Sequence, residues 1–293
     1  MAVAFDAASE SHTGTTPSTS EASFSWTHTP GGTPAGVLVF TFSQTASQIC
    51  TAVTYGGVSM TAVTGGSAQD TAGETGATKA WFLASGIPSG AQSVVVTRNN
   101  TADECYAIAI TVTAAGTTEV YTSGIVLLQE DQALAEQAVD DGSPGSNSLR
   151  FAGICSGGVS PNAVAGPNST LINELIFGST YYFGAVRETT AGQGSRSVGF
   201  TRTGADDVAA VHLAIREIAS GLSITSVTPS SFDDGTTGIV VAGTGFGSSQ
   251  GSSTLTIGGQ AQTVANWSDT SITFTSVRGS NSMGSATLTL TKV

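Results

Sequence analysis

The chain has 293 residues, 37 of them glycine, and only 10% are charged, against roughly 25% in ordinary soluble proteins. Nine Lys and Arg stand against 21 Asp and Glu, a net charge of −12, which makes duplex nucleic acid and anionic membranes poor partners. Sparse charge also excludes coiled coils and exposed helical bundles, while a 39% hydrophobic share supports one or two real cores.

Residues 1–33 are mostly Ser, Thr, Gly and Pro, with an aromatic pair at Phe24 and Trp26. The first Lys or Arg is Lys79, and Met1 to Asp6 has no positive region followed by an apolar stretch. No signal peptide is therefore expected, and the protein is expected to be released in the cytoplasm. No apolar run approaches the roughly 20 residues that span a bilayer, so no membrane insertion is expected. The 1–33 segment is too polar for a core of its own. It is expected to be an arm, with a first strand, that lies along a neighbouring subunit through backbone hydrogen bonds.

From Ala35 to Phe42 the text AGVLVFTF predicts a buried strand. Ile49–Thr54 and Val58–Val63, joined through Tyr55-Gly56-Gly57, predict a hairpin. Strands follow at Lys79–Ala84, Ser93–Thr97, Tyr106–Ala114, Ser148–Cys155, Tyr181–Glu188, Ser197–Arg202 and Val208–Ile218. Leu127–Val139 has good helix formers but no clean helical stripe, and strands flank it, so it reads as an extended connection. About ten strands within residues 34–219 predict one large, jelly-roll-like β-sandwich assembly domain.

After Ser220-Gly221 the pattern changes. Strict alternation at Thr254–Ile257 and Thr287–Thr291 predicts strands with one wet face. Seven short strands in residues 222–293 predict a small second sandwich. The fold class is therefore all-β in two domains.

Two resemblances sharpen this reading. Ile224-Thr-Ser-Val-Thr-Pro229, Ile239-Val-Val-Ala-Gly-Thr-Gly-Phe246, Val264-Ala-Asn-Trp267 and Ser271-Ile-Thr-Phe274 resemble the IPT/TIG family of immunoglobulin-like domains. The resemblance implies an Ig-like sandwich serving as a spacer, an adhesive or a carbohydrate-associated module. Phe24-Ser-Trp-Thr-His28, Val37-Leu-Val39, Val53-Thr-Tyr-Gly-Gly-Val58, Met60-Thr61, Ala80-Trp-Phe-Leu83 before Gly86-Ile-Pro88, and Val211-His-Leu-Ala-Ile215 resemble a β-sandwich family of phage and bacterial surface proteins. That second resemblance implies a structural or adhesive role.

Chemistry is sparse. Cys50, Cys105 and Cys155 are too few and too far apart for a zinc site, and read as reduced, half-buried strand thiols. Gly153-Ile-Cys155-Ser-Gly157 mimics a nucleophile elbow, but Gly158-Val-Ser-Pro161 does not suit the helix start that the elbow needs. Gly243-Thr-Gly245-Phe-Gly247 has no βαβ unit to make it a dinucleotide site. His12, His28 and His212 belong to no recognisable triad motif. Asp140-Asp141, Asp206-Asp207 and Asp233-Asp234 offer oxygens to calcium, but DG is also a turn pair and none sits in an EF-hand loop.

The expectations are no catalytic residue, no cofactor and no resident metal, with calcium as the single ion to consider. Trp267, Asp233 and Asp234 are the candidates for surface recognition. The expected function is a structural virion protein of a tailed bacteriophage, assembled in the host cytoplasm. It would decorate the capsid or form a head or tail fibre with an exposed adhesive module. Its expected partners are other virion proteins, further copies of itself (a trimer favoured) and host-surface glycans. The alternative is a bacterial glycan-binding or adhesin module.

Overall fold

The computed structural model describes residues 3–12, 22–45, 49–71, 76–99, 103–142, 148–157, 163–177, 181–202, 205–218, 222–246, 249–268, 270–277 and 286–291. For Glu130 to Ala133, Phe177, Ala205 and Asp206 only the backbone is described. The Ser220-Gly221 junction, Gly158 to Pro161, and Gly247 lie outside the described residues. The chain divides into two compact units, Met1–Ile218 and Ala219–Val293.

Strand is the dominant regular structure of the described residues, with one 3-10 turn at Thr122–Gly124 and no α-helix. In the first unit β1 (Ala4–His12) and β2 (Ser23–His28) come from the polar N-terminal stretch. The first apolar run is β3 (Gly36–Ser43), and β4 (Cys50–Tyr55) with β5 (Val58–Ser59) make the expected hairpin. Gly56 (φ 56) and Gly57 (φ 80) hold its turn, where a side chain would be strained. Next come β6 (Thr61–Asp70), β7 (Gly76–Leu83), β8 (Gln92–Arg98), β9 (Cys105–Thr113) and β10 (Thr118–Val120). Leu127–Val139 is extended, as β11 (Val126–Ala133) and β12 (Gln137–Val139). The unit closes with β13 (Leu149–Ser156), β14 (Val164–Ala165), β15 (Ser169–Phe177), β16 (Tyr181–Glu188), β17 (Arg196–Val198), β18 (Phe200–Thr201) and β19 (Ala205–Glu217).

These strands stack in layers. The central sheet has the order β1-β9-β3-β7-β6. One of its faces packs on the sheet β2-β8-β4-β5, and the other on β10-β19-β13-β16-β15, with β11 also paired to β19. Alternation on β3 divides its side chains between two cores. Val37 and Val39 join Val53, Tyr55, Val94 and Val96. Leu38, Phe40 and Phe42 join Phe151, Phe183, Val211 and Leu213. A strand buried on both faces favours apolar residues throughout, which is why β3 and β9 are mostly apolar, with Thr41, Ser43 and Thr111 as buried polar exceptions. A third core, with Ile154, Tyr182 and Val208, lies on the far face of the β13 sheet, against the β12–β17 and β14–β18 ladders. Gly153 sets the approach of two layers, because a Cβ there would stand 2.6 Å from the Phe40 ring.

Two expectations are corrected. The described strands of the N-terminal arm are seated on their own chain: β1 pairs antiparallel with β9, from Ala4↔Thr113 to His12↔Tyr106, and β2 pairs with β8. Both finish sheet edges of their own chain, and Val3 is fully buried. Backbone ladders make up for the weak apolar content of β1. The expectation of a trimer then rests only on the general symmetry of structural assemblies. The second correction concerns the thiols. Cys50 on β4 and Cys105 on β9 are disulfide-bonded, tying the β8 sheet to the central sheet. Only Cys155 is free, and it is fully buried rather than half-buried.

Among the described residues the second unit has seven strands, as many as expected: β20 (Ser223–Thr228), β21 (Ile239–Thr244), β22 (Thr254–Ile257), β23 (Gln260–Ala261), β24 (Thr263–Trp267), β25 (Ser271–Thr275) and β26 (Leu288–Thr291). They form two sheets, β20-β21-β25-β24 and β23-β22-β26. Between them lie Ile239, Val241, Phe246, Leu255, Ile272, Phe274 and Leu290. The two alternating segments face each other with Leu255 opposite Leu290, and Thr254 and Thr256 opposite Thr291 and Thr289. The leucines enter the core, while Thr254, Thr289 and Thr291 are exposed.

Candidate functional site

The three recognition candidates are not brought together. Trp267 ends β24, opposite Ile272, and packs edge-on against Phe246 with ring centres 6.5 Å apart. Its Nε1–H donates to the Phe246 carbonyl at 3.2 Å. The ring is half-buried and mostly serves the core. Asp233 and Asp234 are exposed in the turn before β21, where Gly235 has φ 76. Ser276 Oγ donates to the Asp233 carbonyl, which places this turn at the far end of β25 from Trp267. Four residues of strand, roughly 13 Å, separate the two places.

Of the pair Asp140-Asp141, Asp141 belongs to an ion network, and the exposed Asp140 accepts the Gly142 N–H in its turn. Asp141 and Arg150 are fully buried and pair at 3.2 Å, and Arg150 also meets Glu188 at 3.0 Å. Glu188 in turn binds Arg196 at 3.0 Å. Arg150 donates further to the carbonyls of Val139, Gly192 and Gly194, and Asp141 accepts from Gly194 N–H and Ser148 Oγ–H. Buried charges persist only when they are paired and hydrogen-bonded in this way. Asp207 is buried beside Arg202. Among the described residues no three His, Cys, Asp or Glu side chains gather as a metal site.

The cysteine elbow lies inside β13, and burial pushes the Cys155 thiol far above its ordinary pKa, so it is no nucleophile. His212 is fully buried, and burial lowers its pKa to about 4. Its Nδ1–H donates to the Val126 carbonyl at 3.3 Å.

One constellation had no signal in the sequence. At the edge shared by the central sheet and the β8 sheet, Ser9 Oγ lies 2.7 Å from His28 Nδ1. His28 Nε2 lies 3.2 Å from Thr111 Oγ1, and Thr111 donates to Asp6 Oδ2 at 2.9 Å. Trp26 Nε1–H donates to Ser9 Oγ at 2.8 Å, and Gly31 N–H to Asp6 at 3.0 Å. The ladder explains how Asp6 and Ser9 share a face. Three residues apart on a regular strand, they would point to opposite sides. The β1 register shifts between Phe5 and Ala7, so Asp6 is the extra residue of a bulge and turns to the Ser9 side. His28 and Thr111 are fully buried, whereas Ser9 and Trp26 are half-buried. Burial lowers the His28 pKa, and the Asp6 charge partly offsets this.

Comparison with known proteins agrees with the small unit. No curated protein and no solved structure matches the chain. Residues 222–292 match the family model of the IPT/TIG domain, and the C-terminal unit of this chain is an IPT/TIG domain of immunoglobulin-like fold.

Proposed function

We propose that the chain is a structural protein of a tailed-bacteriophage virion, with the larger unit anchored in the particle and the IPT/TIG domain presented as its surface or adhesive module. An IPT/TIG domain fits such a module. The observation that carries the reading is the outer face of β22 and β26, where exposed Thr254, Thr289 and Thr291 stand in place of charges. Such a face stays soluble through hydroxyls and can dock on an uncharged, hydroxyl-rich surface such as a glycan. The layered larger unit, with its three cores, suits a rigid anchor.

The test is deletion of residues 222–293 in the producing phage. The expected result is particles that still contain the shortened chain but adsorb poorly to host cells. Loss of the chain from the particles would overturn the assignment of anchor and module. Recovery of the full chain on the bacterial surface and never in particles would favour the bacterial glycan-binding adhesin instead.

A further inference from the structure

The Ser9 constellation leads beyond a passive surface role, because its hydrogens can be assigned by counting donors. Thr111 has one O–H, and it is spent on Asp6 Oδ2 at 2.9 Å. Thr111 Oγ1 can therefore only accept from His28, so the imidazole proton sits on Nε2. Nδ1 of the neutral ring is then bare and accepts the Ser9 O–H at 2.7 Å. The result is a directed chain, from Ser9 O–H to His28 Nδ1, His28 Nε2–H to Thr111 Oγ1, and Thr111 O–H to Asp6. A hydroxyl, a base and an orienting carboxylate occur in the order that nucleophilic catalysis needs, with Thr111 between base and carboxylate.

Position supports the same reading. Strands β1 and β2 are the edges of their two sheets, so Ser9 and Trp26 lie at the open margin while His28 lies behind them. Trp26 offers a half-exposed ring beside the hydroxyl, and its N–H already points at Oγ. Tyr55, fully buried and with its ring centre 5.9 Å from that of His28, has a hydroxyl with no hydrogen-bond partner. A buried donor without a partner calls for an explanation, and a ligand entering beside His28 would supply one.

We infer that Ser9 is the nucleophile of an ester-cleaving site, with His28 as its base, Thr111 and Asp6 as positioning residues, and small acyl esters as the substrate class. In the first step Ser9 Oγ bonds to the acyl carbon, and the Ser9 proton passes to His28 Nδ1. The carbon–alkoxide bond breaks, and the departing oxygen takes that proton and leaves as an alcohol. A water molecule then attacks the acyl-serine, giving its proton to His28. The acid departs, and Ser9 Oγ recovers a proton from Nδ1. The balance is ester plus water to acid plus alcohol, with no oxidant or metal.

The test uses the full chain and p-nitrophenyl acetate. The expected result is slow release of nitrophenol with an acetyl group trapped on the Ser9 peptide, read by mass spectrometry. Ser9→Ala should abolish both signals, and His28→Gln should slow release about 100-fold or more, the usual contribution of a general base. Thr111→Val should lower kcat more than it changes KM, a split that mere loss of packing would not give. An unacetylated Ser9 peptide in the wild-type chain, or unchanged release by Ser9→Ala, overturns the assignment. The peptide readout needs no variant and so survives any folding defect. It is also independent of particle binding, so its failure leaves the virion reading intact.

Discussion

Arg150 and Asp141 form an ion pair at 3.2 Å in which neither side chain reaches solvent. Glu188, 2% exposed, closes the pair from the other side at 3.0 Å. Arg150 thus bridges two carboxylates, and Arg196 meets Glu188 as well at 3.0 Å. Removing Arg150 leaves Asp141 buried without this cation and Glu188 with Arg196 alone, at a cost of about 3–5 kcal/mol. Arg150→Met should lower stability in urea titrations by that order. Glu119→Gln, on the part-exposed pair with Arg216 at 2.7 Å, should cost under about 1 kcal/mol. Equal losses for the two variants would contradict this ranking.

The Cys50–Cys105 bond closes a 55-residue separation between two layers. On the chain-entropy account a loop of that size contributes roughly 4 kcal/mol. Peptide mapping without reductant should find Cys50 and Cys105 linked, and Cys155 resistant to alkylation until the chain unfolds. The double variant Cys50→Ala/Cys105→Ala should melt earlier, while Cys155→Ala should leave the linkage in place. Three alkylatable thiols in the unfolded, unreduced chain would refute the pairing.

His212 gives the larger unit a pH dependence. Its pKa is about 4 in the fold, against an ordinary 6.5, because burial disfavours the charged ring. The unfolded chain therefore binds the extra proton first as pH falls. Stability is full above about 6.5, declines between about 6.5 and 4, and the total loss is on the order of 3 kcal/mol. His212→Gln should flatten the curve across that window in denaturant titrations. An unchanged slope in the variant would assign the acid sensitivity to other groups.

How much of this was legible depended on how many faces a strand buries. Strands β3 and β9 stood out because both faces are covered, so neither face calls for charged or strongly polar residues. In the second unit, Thr254–Ile257 and Leu288–Thr291 stood out for the opposite reason, one face wet and one dry. The place of β1 in the sheet of its own chain had no sequence signal, because AFDAASESH is polar and its bulge at Asp6 breaks the alternation. Leu127–Val139 carried helical propensity, but pairing from Val126↔His212 to Ala133↔Ala205 overrides it. The Ser9 site lay beyond sequence reasoning for a simpler reason. Its four members come from three strands, with Thr111 lying 83 residues after His28, so no local spacing marks it.

The division of the chain at Ile218 and Ala219 gives the last expected outcome. Each unit keeps its own core, the smaller one around Val241, Phe246, Leu255 and Phe274. A unit with a closed core does not need its neighbour in order to fold, and chain between units is the favoured place for a protease to cut. Limited digestion should therefore cleave first near residues 219–222 and leave two resistant fragments. The 222–293 fragment, produced alone, should unfold cooperatively in denaturant. Phe274→Ala should weaken that transition by about 3–5 kcal/mol, or abolish it in so small a domain, because the ring is fully buried against Phe232 at 5.9 Å. The same substitution in the full chain should leave the unfolding of residues 1–218 unchanged. Joint loss of both transitions would mean that the two units share one cooperative fold.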